Sequence, residues 1–145
     1  MDTKGPYTKS NRLSPVIAMA ASAGGLEAIS VVLADLPADF HAAVLIVQHL
    51  DPRHPSMLAE ILARRTELRV SQAEEGDCLQ EGRVFIAPPD RHLLVLPGGS
   101  LSLTQSELVH FVRPSADLLF ESLAASYKDQ AIAVVLSGTG VDGSL

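Results

Sequence analysis

Three short segments hold residue types that together can transfer an acyl group. Ser22 lies in Ala20-Ala21-Ser22-Ala23-Gly24-Gly25, and His49 follows Val47-Gln48. Asp142 lies in Leu136-Ser137-Gly138-Thr139-Gly140-Val141-Asp142-Gly143. A serine hydroxyl needs a base to attack a carbonyl at neutral pH, and the base needs a fixed acid to hold its tautomer. The small residues around Ser22 permit a tight turn and a close approach of substrate to the backbone. A helix starting just after that turn would direct N–H groups at the same spot, which suits a developing oxyanion.

Each of these residues has a plainer reading when taken singly. The Ser22 segment reads equally as a glycine turn with the serine as a helix cap. A lone histidine such as His49 reads as an ordinary loop residue, and His54 and His92 compete with it by residue type. His41 precedes a strand and so falls at the wrong end of a sheet, while His110 lies beyond a hairpin. The Asp142 loop reads equally as a metal loop, a phosphate loop or a helix cap.

The elements that must position these residues are legible from hydrophobic pattern. Val16–Ala20, Ala43–Val47 and Ala131–Leu136 are continuous apolar runs, as expected of strands buried on both faces. Leu26, Ile29, Val32 and Leu33 recur at helical spacing over 26–35, and Pro37 closes that helix. A second helix is predicted over about 57–65, capped by Ser56, with Leu58, Ile61 and Leu62 inward and Arg64-Arg65 in its last turn. Short strands are predicted at 69–72 and 84–87. Pro97-Gly98-Gly99-Ser100 joins 93–96 to 101–104 as a hairpin. Residues 115–127 read as a helix with Leu118, Leu119 and Leu123 buried. Alternating strands and helices imply a mainly parallel sheet with the hairpin inserted. Ligands of such sheets bind outside the carboxyl ends of the strands, and the three strongest strands end at the three segments above.

Competing chemistries fit less well. A dinucleotide site wants Gly-x-Gly-x-x-Gly after the first strand and an acid after the second. Here the first turn is Ala-Ser-Ala-Gly-Gly and the second strand ends in Gln48-His49. No Gly-Lys-Ser/Thr occurs, and His49 and His54 are separated by a proline-bearing stretch rather than a helical turn. The order Ser…His…Asp, without Gly-x-Ser-x-Gly, also sets the chain apart from α/β-hydrolases.

The composition suits one domain of 145 residues, 47% of them apolar and only 4% aromatic, so the core rests on Val, Leu, Ile and Ala. A formal charge of −6 with scattered Lys and Arg argues against nucleic acid as a partner. The single cysteine, Cys78, excludes an internal disulfide framework, reads as structural, and is compatible with a reducing, cytoplasmic location. No apolar run reaches the roughly 20 residues that span a bilayer. Residues 1–14 are polar and read as a flexible lead-in to a domain over 15–145.

Taken together, the segments resemble the chemotaxis protein-glutamate methylesterases (CheB type). Residues 17–28, Ile-Ala-Met-Ala-Ala-Ser-Ala-Gly-Gly-Leu-Glu-Ala, are similar to their nucleophile segment, and Val47-Gln48-His49 to their histidine segment. Ile86-Ala87-Pro88-Pro89-Asp90-Arg91-His92, Arg113-Pro114-Ser115 with Asp117-Leu118-Leu119-Phe120, and residues 136–143 resemble three further signatures in the same order. The resemblance implies a three-layer α/β/α domain with a doubly wound sheet. It implies hydrolysis of γ-glutamyl methyl esters on the cytoplasmic helices of chemoreceptors, giving glutamate and methanol, and in some members deamidation of receptor glutamines. Carried over, Ser22 is the nucleophile, His49 the general base and Asp142 its orienter. Ala23, Gly24 and Thr139 fall in the oxyanion region, and His92 and Arg113 line the cleft. Such a triad needs no cofactor and no metal.

The chain departs from the family pattern in places. Ala23 stands where the family usually has Thr, and Thr139 where Met is often found. With only 14 residues before the catalytic segment, no receiver domain is expected, and partners in a longer chain are expected to be methyltransferase or sensor modules. The family fold runs on past the aspartate motif, so a C-terminal part is expected to be missing and one flank of the sheet to be open and apolar. A catalytically silent domain that docks on receptor or kinase helices is the alternative from a different functional class.

Overall fold

Uncharged runs of Val, Ile, Leu and Ala form the middle of the sheet. In β1 (Val16–Ala21) all residues but Ile17 are buried, and in β2 (Ala43–Gln48) all six are. The computed structural model describes residues 14–22, 25–48, 57–105 and 115–136. The remaining strands are β3 (Arg69–Gln72), β4 (Arg83–Ile86), β5 (His92–Val95), β6 (Leu101–Thr104) and β7 (Ala131–Leu136). Helices α1 (Leu26–Ala34), α2 (Leu58–Ala63) and α3 (Ala116–Tyr127) lie between them, with a 3-10 turn at Lys128–Gln130.

Five strands form one parallel sheet in the order β3-β4-β2-β1-β7, and β5 and β6 form a separate antiparallel hairpin. Alternation along each strand sends side chains to two cores. Met19, Val44, Ile46, Val84 and Ile86 meet Ile29 and Leu33 of α1 and Leu58 and Leu62 of α2 on one face. Val16, Ala18, Leu45, Val47 and Phe85 meet the hairpin and Leu119, Leu123 and Tyr127 of α3 on the other. The expected three layers are present, with the hairpin in the α3 layer. The chain moves outward from β1 to β2 along the α1 face and returns to the far side of β1 by way of α3, so the sheet is doubly wound.

The local differences from expectation have physical causes. The second helix is shorter than 57–65. Met57 occupies its N-cap position without a side-chain cap, and Ser56 lies outside the described residues. At the other end Arg64 and Arg65 donate their N–H groups to Ile61 and Leu62, so the chain tightens to i−3 bonding and leaves the helix. Arg65 then reaches across to Ser30 Oγ of α1 at 2.9 Å rather than covering its own helix end. In α3 the buried stripe is Leu119, Leu123 and Tyr127, spaced by four, which leaves Leu118 only half-buried. β7 is apolar, yet among the described residues it is an edge, with Ile132 47% and Val135 63% exposed. Cys78 is exposed, and its backbone bridges to Ser100.

Candidate active site

Register brings the carboxyl ends of three strands together. Ala21 of β1 lies opposite Gln48 of β2 on one side and Leu136 of β7 on the other. Ser22 leaves β1 directly after Ala21, between the two neighbouring strand ends. His49 follows Gln48 in the chain, and the segment 137–143 follows Leu136. Of the expected site residues, Ser22 and His92 are described. Ala23, Gly24, His49, Arg113, Thr139 and Asp142 lie outside the described residues, as do His54 and His110.

The turn that carries Ser22 is held by two hydrogen bonds to one carbonyl. The Ser22 carbonyl accepts the N–H of Gly25 at 2.9 Å and Nε2 of the buried Gln48 at 3.3 Å. Ser22 is itself buried, with 5% of its surface exposed. Gly25 is the N-cap of α1, and a Cβ built there would lie 2.4 Å from Cβ of Ala21. No side chain fits, so glycine is required by contact with the strand end rather than by an unusual φ. α1 thus starts hard against the nucleophile segment, with Glu27 in its first turn where a carboxylate complements the helix dipole.

His92, which the resemblance implies would line the cleft, lies in the interior. It is fully buried, and its Nδ1 accepts the backbone N–H of Ser115 at 3.1 Å. Accepting at Nδ1 leaves the ring proton of the neutral imidazole on Nε2. Ser115 is the N-cap of α3 and accepts in turn from the N–H of Leu118 at 3.3 Å. His92 therefore ties β5 to the start of α3 from the interior.

The shifted titrations lie at the opposite, amino-terminal edge of the sheet. Hydrogen bonds from Ser14 and then His41 hold the Glu81 carboxyl below its ordinary value, while burial, followed by the charge of Cys78, raises the Tyr127 phenol. His41 sits at that edge, as expected from its place before β2. Among the described residues no three His, Cys, Asp or Glu side chains gather as a metal set, and no helix is long and apolar enough to cross a membrane.

Sequence reading missed two supports of the site. Gln48 was legible only as a neighbour of His49, although an amide ending an otherwise apolar buried strand signals a polar group needing a partner. The steric demand at Gly25 is visible only once α1 and β1 are packed.

The profile of the CheB methylesterase family matches residues 17–145. A putative protein-glutamate methylesterase/protein-glutamine glutaminase of Leptospira interrogans is 37% identical over 128 residues, covering 88% of this chain and 66% of the relative. A protein-glutamate methylesterase/protein-glutamine glutaminase of Burkholderia orbicola is 40% identical over 131 residues, covering 90% of this chain and 39% of the relative. The crystal structure of the Thermotoga maritima CheB methylesterase catalytic domain superposes with a TM-score of 0.79 at 32% identity, covering 85% of this chain and 67% of that one. The chain thus spans about two thirds or less of the length of these relatives. With its doubly wound sheet, a buried serine at the end of β1 and the family profile matched over residues 17–145, the chain belongs to the CheB methylesterase family.

Proposed function

We propose that this protein hydrolyses γ-glutamyl methyl esters on the cytoplasmic helices of chemoreceptors, with Ser22 as nucleophile, His49 as general base and Asp142 as the acid that orients it. The observation that carries this reading is the register of Ala21 with both Gln48 and Leu136. It sets Ser22 between the two strands whose continuations hold the histidine and the aspartate.

His49 takes the proton of Ser22 as the hydroxyl oxygen attacks the γ-carbonyl carbon. The oxyanion forms near the backbone of Ala23, Gly24 and Thr139. Collapse breaks the bond to the methoxy oxygen, which leaves as methanol with the proton returned by His49. Water then attacks the acyl-enzyme with His49 again as base, releasing glutamate and restoring Ser22. A glutamine side chain presents the same γ-carbonyl with ammonia as leaving group, so deamidation uses the same residues. Arg113 borders the cleft, the reaction runs in the cytoplasm, and residues 15–145 act as the catalytic unit.

The experiment is methanol release from methylated receptor by the complete protein. Ser22→Ala is expected to lower the rate by several orders of magnitude while the fold persists. Equal rates for Ser22→Ala and the parent overturn the assignment.

A further inference from the structure

A second feature lies along the same rim of the sheet as Ser22. A cleft of about 500 Å3 opens where β3 and β4 end, lined by Gln72, Glu74, Pro88, Pro89, Arg91 and Leu103 among others. Neighbouring strands are about 4.8 Å apart, so the cleft, two to three strands from β1, lies roughly 10–14 Å from the nucleophile. Its floor is stiff. Pro88 and Pro89 fix two backbone angles, Asp90 lies at φ 64 in the left-handed region, and Arg91 is followed by the buried His92, which is bonded to the Ser115 N–H.

The charges of the cleft are not equivalent. Glu75 is spent on the fold, accepting the N–H of Leu103 at 2.8 Å and the hydroxyl of Ser102. Arg91 is exposed and forms no ion pair with any described carboxylate, Glu74 included. A guanidinium on a stiff loop is a ready fork for a carboxylate.

Resting on the esterase reading above, we infer that this cleft is a substrate subsite in which Arg91 binds an acidic side chain of the substrate protein, some 10–14 Å from the glutamyl group at Ser22. The occupant is the stretch of substrate polypeptide flanking the reacting residue. A side chain delivered to a buried serine must leave its own backbone on the rim, and the cleft is a concave stretch of that rim beyond β2. Glu74 on the other wall disfavours a second acid there and so sets the register of the flank.

The test uses three helical peptides with one γ-methylglutamyl residue and, about two to three turns away, Glu, Gln or Lys. The parent protein is expected to favour the Glu peptide over the Gln peptide about three- to five-fold in kcat/KM, as for a rim charge pair, with the preference fading at high salt. Arg91→Ala should bring the ratio to one, and Arg91→Glu should invert it in favour of Lys. The same ratios in peptide affinity, measured on Ser22→Ala protein, test the subsite independently of turnover. Unchanged ratios on Arg91→Glu overturn the subsite and leave the esterase reading intact. Absence of hydrolysis with altered affinity ratios supports the subsite and counts against the esterase reading alone.

Discussion

Gln48 Nε2 donates to the main-chain carbonyl of Ser22 at 3.3 Å, joining the end of β2 to the turn after β1. The residue before the proposed base thus holds the backbone of the proposed nucleophile. Gln48→Leu removes that donor from a buried place while the Gly25 N–H still serves the carbonyl. The expected cost is about 0.5–1.5 kcal/mol of stability, the net worth of one hydrogen bond whose acceptor keeps another donor. A further drop of roughly tenfold in kcat is expected, because small displacements of a nucleophile are costly. Denaturant unfolding and methanol release measure the two. A variant that loses stability with kcat unchanged shows that the bond supports only the fold.

Gly25 makes a sharper case, because its demand is steric. Gly25→Ala places a methyl 2.4 Å from Cβ of Ala21, so α1 or the Ser22 turn must move. Overpacking of this kind costs about 1–3 kcal/mol. Adding Ala21→Gly removes the opposing methyl and should recover part of that, less about 0.5–1 kcal/mol for a glycine within a strand. A double-mutant cycle on the unfolding midpoint measures the coupling. Additive effects would mean that the two Cβ positions do not meet.

Much of this arrangement is readable before any coordinates. The apolar runs at 16–20, 43–47 and 131–136 predict the strands, and the loops they lead to hold Ser22, His49 and Asp142. What the runs do not carry is order across the sheet. β4 inserts between β2 and β3, a pairing set by packing of distant segments rather than by local pattern. Nor does an apolar run tell a central strand from an edge, which is why Val135 looks like core in sequence and is exposed in β7. His92 shows the same limit at the site. The resemblance implies that His92 lines the cleft, while the strand β5 begins at His92 and turns it into the interior.

At the amino-terminal edge, pH should act through Glu81. Ser14 Oγ donates to its Oε2 at 2.6 Å, His41 Nδ1 lies 3.4 Å from Oε1, and both hold the carboxyl below its ordinary 4.5. A depressed folded-state value means that the stabilisation is present above 4.5 and is lost as pH falls through the lower, folded value. The pair is solvent-exposed, so the effect is under about 1 kcal/mol. Glu81→Gln should therefore be slightly less stable than the parent at pH 7 and equal to it once both carboxyl states are protonated. Ester hydrolysis should be unaffected, because this edge is remote from Ser22. A stability gap that persists at low pH would assign the effect to packing instead.

The bond from Ser115 N–H to His92 Nδ1 separates a structural histidine from a catalytic one. His92→Leu preserves bulk and leaves the N–H buried without an acceptor, at a cost of about 1–3 kcal/mol. His92→Asn offers an amide oxygen near the place of Nδ1, so it should regain part of that stability despite its smaller volume. Protection of the Ser115 and Leu118 amides from hydrogen exchange is the direct readout, since both belong to the cap of α3. A general base behaves otherwise: its replacement by Asn would abolish turnover with the amides fully protected. Recovery of both protection and methanol release in His92→Asn is the expected outcome, and it removes His92 from the candidates for the general base.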